Sequence, residues 1–355
     1  MNLDDMNLLR DIDKDDMLFH VNNFANQLEQ AWTLAATLPL PESHRQPRQI
    51  VVCGMGGSAI GGDLTAALIA GTSPVPFSVV RGYDLPAYIN GPETLVIASS
   101  FSGGTEETLA AVEQAVERGA TLLAITTGGK LAAHAEKHGY PLWQFDYKSQ
   151  PRAALGWSFG MLMGLVYRLG YAPTLDTDLH EGIALLREFQ PEYAPENPAA
   201  TNPAKRGAGQ LMGRIPMFIG SGAFEPVARR WKGQLNENAK VWGCWEPMPE
   251  MNHNAVVGIE HPDDLMRHVC TVFISSPQFD HPRVALRNQL TYTLFLEHGI
   301  MTDRFQPQGS SLLAQMLHAI QYGDYLSYYA AIGTKTDPTT IAPIVELKSL
   351  MAERA

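Results

Sequence analysis

Two short stretches carry residues whose types and spacing suit anion chemistry: "GMGGSAIGG", Gly54 to Gly62, and "SSFSGGTEET", Ser99 to Thr108. Each follows a run of apolar, β-branched residues and leads into a helical pattern. The glycines let the backbone come close to a ligand. The hydroxyls of Ser58, Ser100, Ser102 and Thr105, with Gly57 beside the first of them, can then converge with free N–H groups at two helix starts. Such a site holds a phosphate. No lysine follows the glycines, so this is not a Walker A loop. Gly54, Gly56 and Ala59 fit the Gly-x-Gly-x-x-Ala variant of the dinucleotide fingerprint, but the acidic ribose partner is missing, since the second strand ends on Arg81 with Asp84 further on. The turns read as a phosphate cradle without a nucleotide.

The elements that must position these turns form a regular α/β alternation. Residues 1 to 40 read as helix, with Leu8, Leu9, Met17, Leu18, Val21 and Phe24 at helical intervals. Strands follow at "IVVCGM", "FSVVRGY", "TLVIASS" and "TLLAITTGG", and "TEETLAAVEQAVERG" is an amphipathic helix between two of them. Continuous apolar strands between helices predict a parallel sheet covered on both faces. After a polar, proline-containing stretch at about 190 to 206, the pattern returns. "IPMFIGSGAFEPVARRWKGQL" repeats the strand, glycine turn and helix, and "HVCTVFISSPQFDHPRVALRNQLTYTLFLEHG" repeats the strand, Ser-Ser turn and helix. Two tandem doubly wound units are expected, residues 1–190 and 191–355, the first with a helical N-terminus and the second closing on the helix "TIAPIVELKSLMAERA".

Composition sets the class. The chain has 355 residues, 45% hydrophobic and 18% charged, as in an ordinary globular protein. A formal net charge of −11 argues against a nucleic-acid partner. The three cysteines, Cys53, Cys244 and Cys270, show no metal-type spacing and suit reduced thiols in a cytoplasmic protein. The acidic start lacks the apolar region of a secretory signal, and the best apolar run, "ALGWSFGMLMGLVY", falls short of the ~20 residues a membrane span takes. No membrane association is expected.

The pair of hydroxyl-rich turns resembles the sugar-isomerase (SIS) domain of the phosphoglucose isomerase superfamily. The ordered set "GMGGSAIGGD", "SSFSGGTEETL", "ITTGGKL", "PRAALG", "QLNENAK", "PEMNHN" and the C-terminal "LK" looks like the bifunctional phosphoglucose/phosphomannose isomerases over nearly the whole chain. That resemblance implies an aldose–ketose isomerase acting on a small phosphosugar without metal or cofactor. Such a reaction needs a carboxylate to shuttle a proton between adjacent carbons, a cation for the enediolate and an acid/base pair to open the ring.

Four residues match those roles. Glu237 stands between Asn236 and Asn238, poor interior helix formers whose presence suggests a polar or irregular setting rather than a solvated helix face. By resemblance it is the proton shuttle. His253, in "EMNHNAVVG", has the near-neutral pKa that suits ring opening. The resemblance has it donated by a neighbouring subunit, which implies a homodimer. Glu250 is the rival carboxylate but matches no catalytic position. Arg152 precedes an otherwise apolar helix, where a charge is usually a surface cap, and Lys348 lies on an amphipathic helix, where it is usually solvated. The resemblance makes Arg152 the enediolate cation and Lys348 the second ring-opening group.

The chain departs from the family pattern at Ala59 and Gly104, where glycine and asparagine are common. It departs also at Ile341, where some relatives carry a threonine linked to mannose-type substrates. The histidine pair His134 and His138 has the spacing that puts two ligands on one helix face. It lacks the glutamate that follows the first histidine of a zinc protease helix, so a solvated polar face is expected. Two other functions fit the turns alone: an aminosugar-phosphate isomerase or deaminase, and a non-catalytic phosphosugar sensor. Neither calls for Glu237, His253 and Lys348 together.

Overall fold

The computed structural model describes residues 2–354, and in them the strands form two separate parallel sheets. The first holds β1 (Gln49–Cys53), β2 (Phe77–Val80), β3 (Thr94–Ser99), β4 (Thr121–Thr126) and β5 (Leu142–Gln144) in the order β2-β1-β3-β4-β5. The second holds β6 (Ile215–Ser221), β7 (Cys244–Met248), β8 (Val269–Ile274) and β9 (Met301–Phe305) in the order β7-β6-β8-β9. In each half the first strand lies between the second and the third, so the chain reverses direction of travel across the sheet at the same place. That is the switch point beyond whose strand ends α/β ligands bind. Register brings Cys53 beside Ala98 at the first switch point and Gly220 beside Ile274 at the second.

The expected coverage of both faces is present. Ile50, Val52, Leu95 and Ile97 point to one face of the first sheet and pack with Trp157, Leu162 and Leu165 of the helix Leu155–Arg168. Their neighbours Val51, Cys53, Val96 and Ala98 alternate to the other face. There they meet Ala111, Val112 and Ala115 of the helix Glu106–Glu117, and Leu131 and Ala135 of the helix Gly129–His138. The apolar helix Leu155–Arg168 carries a glycine every fourth residue. A methyl group added at Gly160 or Gly164 would lie 2.7 and 2.5 Å from the side chains of Ala31 and Ala35. Those glycines let the N-terminal helix Phe24–Thr37 lie directly against it.

The two halves are not beads on a string. The helix Leu312–Gly333 is buried along almost its whole length, and it packs on the helices Leu175–Tyr193 and Pro203–Leu211 and on the second sheet's helix Glu225–Gln234. One continuous apolar cluster runs from Met17 and Phe24 through Leu179 and Trp231 to Tyr325 and Tyr329. The stretch at 190 to 206 reads from sequence as a polar connection. It is mostly ordered structure: the helix Leu175–Tyr193 runs through Pro191, and Asn202 caps the next helix by accepting from the Ala204 and Lys205 N–H groups. The buried Lys205 ammonium pins this segment to Asp4 at 2.8 Å and to the carbonyls of Pro195 and Asn197. Among the described residues no helix is long and apolar enough to cross a membrane.

Candidate active site

The two hydroxyl-rich turns sit together beyond the carboxyl ends of β1 and β3. Gly54 lies so close to the second turn that an added methyl would be 2.8 Å from the Ser99 carbonyl. Ser58, on the first turn of the helix Gly56–Ile69, is buried, and its Oγ accepts from the Phe101 N–H at 3.1 Å. Ser100 Oγ and Thr105 Oγ1 are 2.9 Å apart. Thr105 is the N-cap of the helix Glu106–Glu117, but its hydroxyl turns to Ser100 and leaves that helix's first N–H groups uncapped by it. Ser102 is exposed at the tip, where its Oγ accepts from the Gly104 N–H at 3.3 Å. The tip can fold this way because Gly103 adopts φ +65° and carries no side chain; a methyl there would come 1.8 Å from the Gly128 carbonyl. The loop after β4 locks it, through Leu131 N–H to Gly103 O at 2.8 Å and Thr127 Oγ1 to Phe101 O at 2.7 Å.

A cleft of ≈ 350 Å³ opens between the halves, and Gly56 and Gly57 of the first turn line it together with Arg152 and Glu237. Gly57 is the hinge of this arrangement. An added methyl would lie 2.8 Å from the Pro151 carbonyl and 3.1 Å from the Arg152 nitrogen. Glycine therefore lets the first turn touch the segment that carries Arg152.

Arg152 is 2% exposed, and every edge of its guanidinium is used. Nε donates to Asn238 Oδ1 at 2.7 Å, Nη1 to Glu237 Oε2 at 3.2 Å, and Nη2 to the Pro338 and Thr339 carbonyls at 2.5 and 2.9 Å. Burial pushes its pKa below the usual arginine value, and the Glu237 charge opposes that push. Behind it Arg230 donates to the Arg152 carbonyl at 3.2 Å and forms a two-pronged pair with the buried Asp324 at 2.9 and 2.8 Å.

Glu237 lies where the helix Glu225–Gln234 widens into a π-turn, Leu235–Ala239. Such widened turns often mark functional sites. The flanking asparagines explain the irregularity. Asn236 Nδ2 donates to the Val241 carbonyl at 2.7 Å, and Asn238, fully buried, bridges Arg152 to Ser327 Oγ at 2.9 Å. The Glu237 carboxylate is thus aimed into the cleft while its neighbours hold the backbone. Lys240, at the end of this turn, has its pKa held down to about 8 by partial burial and by the Arg152 charge.

The remaining candidates lie elsewhere in the chain. Lys348 is on the exposed helix Ala342–Ala352 and lines a separate recess of ≈ 200 Å³ with Ser102, Gly104 and Thr105. It therefore stands by the phosphate turn, not by Glu237. His253 ends the short turn Glu250–His253 on the surface and lines neither recess, while Glu250 accepts from Asn254 at 3.0 Å. Sequence reasoning missed Asn238 as the group that orients Arg152. It also missed the cations Arg81, Arg229, Arg230 and Lys232, which line the cleft wall with Trp245. Asn238 had a signal, being one of the two asparagines that mark the turn. The cleft cations had a weaker one: Arg229, Arg230 and Lys232 are close neighbours in "EPVARRWKG", but only the approach of the two halves sets them opposite Arg81 and Arg152.

The second half repeats the turn geometry but fills it from within. Ser221, at the end of β6, donates to Asp280 Oδ1 at 2.6 Å, and the Ser276 N–H beyond β8 donates to Asp280 Oδ2 at 3.1 Å. A side-chain carboxylate occupies the place where an anion would sit, which leaves the first half's turns as the open cradle.

Comparison with known proteins matches a separate family model to each half. The family model described as the bacterial phospho-glucose isomerase C-terminal SIS domain matches residues 200–351, and the SIS domain model matches residues 44–139. A bifunctional phosphoglucose/phosphomannose isomerase of Caldicellulosiruptor bescii is 38% identical over 95% of this chain and 99% of its own. A protein of the same description from Aquifex aeolicus is 31% identical over 86% of this chain and 91% of its own. The fold also matches the solved C-terminal domain of glucosamine-fructose-6-phosphate aminotransferase from Francisella tularensis, with a TM-score of 0.70 at 12% identity, covering 92% of this chain and 98% of that one. With two SIS-type halves facing one cleft and full-length relatives at this identity, the chain belongs to the bifunctional phosphoglucose/phosphomannose isomerase family.

Proposed function

We propose that this protein is an aldose–ketose isomerase that interconverts glucose 6-phosphate, and in the same site mannose 6-phosphate, with fructose 6-phosphate. The observation that carries the proposal is the Arg152–Glu237 pair, 3.2 Å apart, facing the glycine turn across Gly57. The turns of Gly57, Ser58, Ser100, Ser102 and Thr105 anchor the phosphate through hydroxyls and helix-start N–H groups. With the phosphate anchored, C1 and C2 of an open-chain sugar reach the carboxylate. Glu237 takes the proton from C2, the C2–H electron pair forms the C1=C2 bond of a cis-enediolate, and the carbonyl oxygen takes up negative charge. Arg152 balances that charge, its guanidinium already fixed by four hydrogen bonds and needing no reorganisation. The C2 hydroxyl proton passes to the C1 oxygen, and return of the carbon-derived proton to C1 completes the ketose with its carbonyl at C2. Abstraction from either C2 epimer joins the glucose and mannose series.

Ring opening needs a proton donor and acceptor at the ring oxygen and the C1 hydroxyl, and we assign these to His253 and Lys348. Neither lies in its own chain's cleft, Lys348 standing instead at the recess of Ser102 and Thr105, so the assembled dimer has to bring both to the sugar. Exposed apolar side chains support a homodimer: Leu286 and Leu290 on one helix, Trp242 before β7, Val257 four residues after His253, and Val345 and Leu347 on the terminal helix. The division at 190/191, a cytoplasmic location and a reaction without metal or cofactor belong to the same reading. The test is to incubate chelator-treated protein with fructose 6-phosphate and identify the products by carbon NMR. Glucose 6-phosphate together with mannose 6-phosphate is the expected result; failure to form either aldose phosphate overturns the proposal.

A further inference from the structure

We propose that Glu113, His134 and His138 form a binding site for a single zinc-class divalent cation, on the outer face of the first sheet and apart from the cleft. The helix Glu106–Glu117 supplies the glutamate and the helix Gly129–His138 both histidines. Their ligand atoms all lie within 4.8 Å of one another. Three ligands with nitrogen and carboxylate donors suit zinc, with a fourth position left to water.

The sequence spacing alone puts His134 and His138 on one helix face, as a solvated face would also have it. Three features of the structure go further. The first is the third ligand, which comes from a neighbouring helix and stands 3.1 Å from His134 Nε2. The second is that His134 is not solvated. Its side chain is only 9% exposed, and Nε2 is buried with no hydrogen-bond partner, because its contact with Glu113 is misaligned. The third is the opposite ring nitrogen. His134 Nδ1 is 2.8 Å from the Tyr140 hydroxyl, the kind of outer partner that fixes the tautomer of a metal-binding histidine. With Nδ1–H donating to Tyr140, the Nε2 lone pair faces the Glu113 carboxylate. Two acceptors in that position repel unless a proton or a metal cation lies between them, and the absence of an aligned hydrogen bond there suits the metal. His138 stacks on His134 with ring centroids 4.3 Å apart, and it is exposed, so its ring is free to turn towards the same point. Tetrahedral ligands at about 2.1 Å from a metal stand roughly 3.4 Å apart. The His134–Glu113 pair already meets that separation, and only the exposed His138 needs to close.

The site lies in the later turns of both helices, whose first turns frame the phosphate turn at Thr105 and Gly129. A bound ion therefore clamps two helices that support the cradle without entering the reaction. The experiment is a calorimetric titration of the chelator-stripped full chain with zinc chloride, with magnesium chloride as control. Glu113→Gln and His138→Ala are measured beside the parent, and since both side chains are exposed, these variants keep the fold. The parent should take up one zinc per chain more than either variant, and no magnesium at this site. Zinc should raise the melting temperature of the parent alone. Tyr140→Phe should keep the stoichiometry and weaken binding about tenfold. Activity of the stripped enzyme should be unchanged in Glu113→Gln, which separates this site from the cleft. Equal zinc uptake and affinity in the parent and both variants, or no uptake by the parent, overturns the proposal.

Discussion

Replacing Glu237 by glutamine separates binding from chemistry, because the structure bounds both effects. The carboxylate makes one charged contact, with Arg152 Nη1 at 3.2 Å, and its side chain is 30% exposed. An ion pair open to solvent on one side is worth about 0.2–1 kcal/mol, and the glutamine oxygen can accept the same N–H. Arg152 keeps Asn238 and two carbonyls as partners. Glu237→Gln should therefore melt within roughly 2–4 °C of the parent. The amide cannot take up a proton near neutral pH. Loss of a positioned base costs about 10²- to 10⁴-fold in rate, or some 3–5 kcal/mol of barrier. The assay is the initial rate of glucose 6-phosphate formation from fructose 6-phosphate, with affinity for fructose 6-phosphate measured separately by calorimetry. The expected variant binds the sugar within a few-fold of the parent and turns over at least a hundredfold more slowly. A kcat within tenfold of the parent refutes the assignment. Loss of binding with an unchanged melting temperature refutes it differently, by making Glu237 a holding group.

Asp324→Ala should cost about 3–5 kcal/mol in urea unfolding, since it strands the buried Arg230 guanidinium; a loss under 1 kcal/mol would mean that Arg230 finds another partner. His318, buried between the Tyr193 hydroxyl and the Gln308 N–H, has its pKa held down from 6.5 to about 4 by burial. Its contribution is fully present above pH 6.5, is lost as only the unfolded chain protonates, and levels off below about 4. The loss reaches about 3 kcal/mol. Urea unfolding at pH 7, 5.5 and 4.5 should show this acid sensitivity in the parent and less of it in His318→Gln; equal slopes would refute it. Asp280→Gly should empty the second half's cradle, leaving Ser221 Oγ and the Ser276 N–H without their acceptor. Inorganic phosphate should then raise the melting temperature of this variant more than that of the parent, and an equal rise in both would refute the reading of Asp280 as an internal anion.

β1, β2, β3, β4, β6 and β8 were legible because each is an apolar run closed by a turn, whereas the short β5 (LWQ) and the mixed β7 (CWEPM) and β9 (MTDRF) carry no such run. β1, β3 and β4, buried almost throughout, carry the strongest of these runs. The helix Leu312–Gly333 was not read, although it is the longest in the chain. It is buried on all sides, so it lacks the one-sided periodicity that separates helix from loop. The polar stretch at 190 to 206 read as a connection for a related reason. Its structure rests on Lys205 finding Asp4, two hundred residues away, which no local pattern records. The site divides along the same line. The turns and Glu237 stand out in sequence by composition, with glycine and serine in one place and paired asparagines in the other. The role of Arg152 depends on contacts with residues 237 to 238 and 338 to 339, which only the folded chain assembles. The resemblance reached Arg152 where the residue's own surroundings in sequence suggested a surface cap.

The two halves share one topology, yet they meet the cleft with different equipment, and the difference follows from where each keeps its charge. The first half leaves its switch-point turns unfilled and lends the cations Arg81 and Arg152, while the second spends Asp280 inside its own turns and presents Glu237 from the helix that follows β6. A second open anion cradle facing the first would draw another phosphate into the cleft beside Arg229, Arg230 and Lys232. Filling it with a tethered carboxylate keeps the anchoring function on one side. An isomerase needs such asymmetry: a substrate held at one end by its phosphate must present C1 and C2 to a base fixed on a separate element, so that anchoring and proton transfer do not compete for the same donors. Gly57 is where the proposed requirements meet, since any side chain there would push its turn away from Pro151 and so from Arg152.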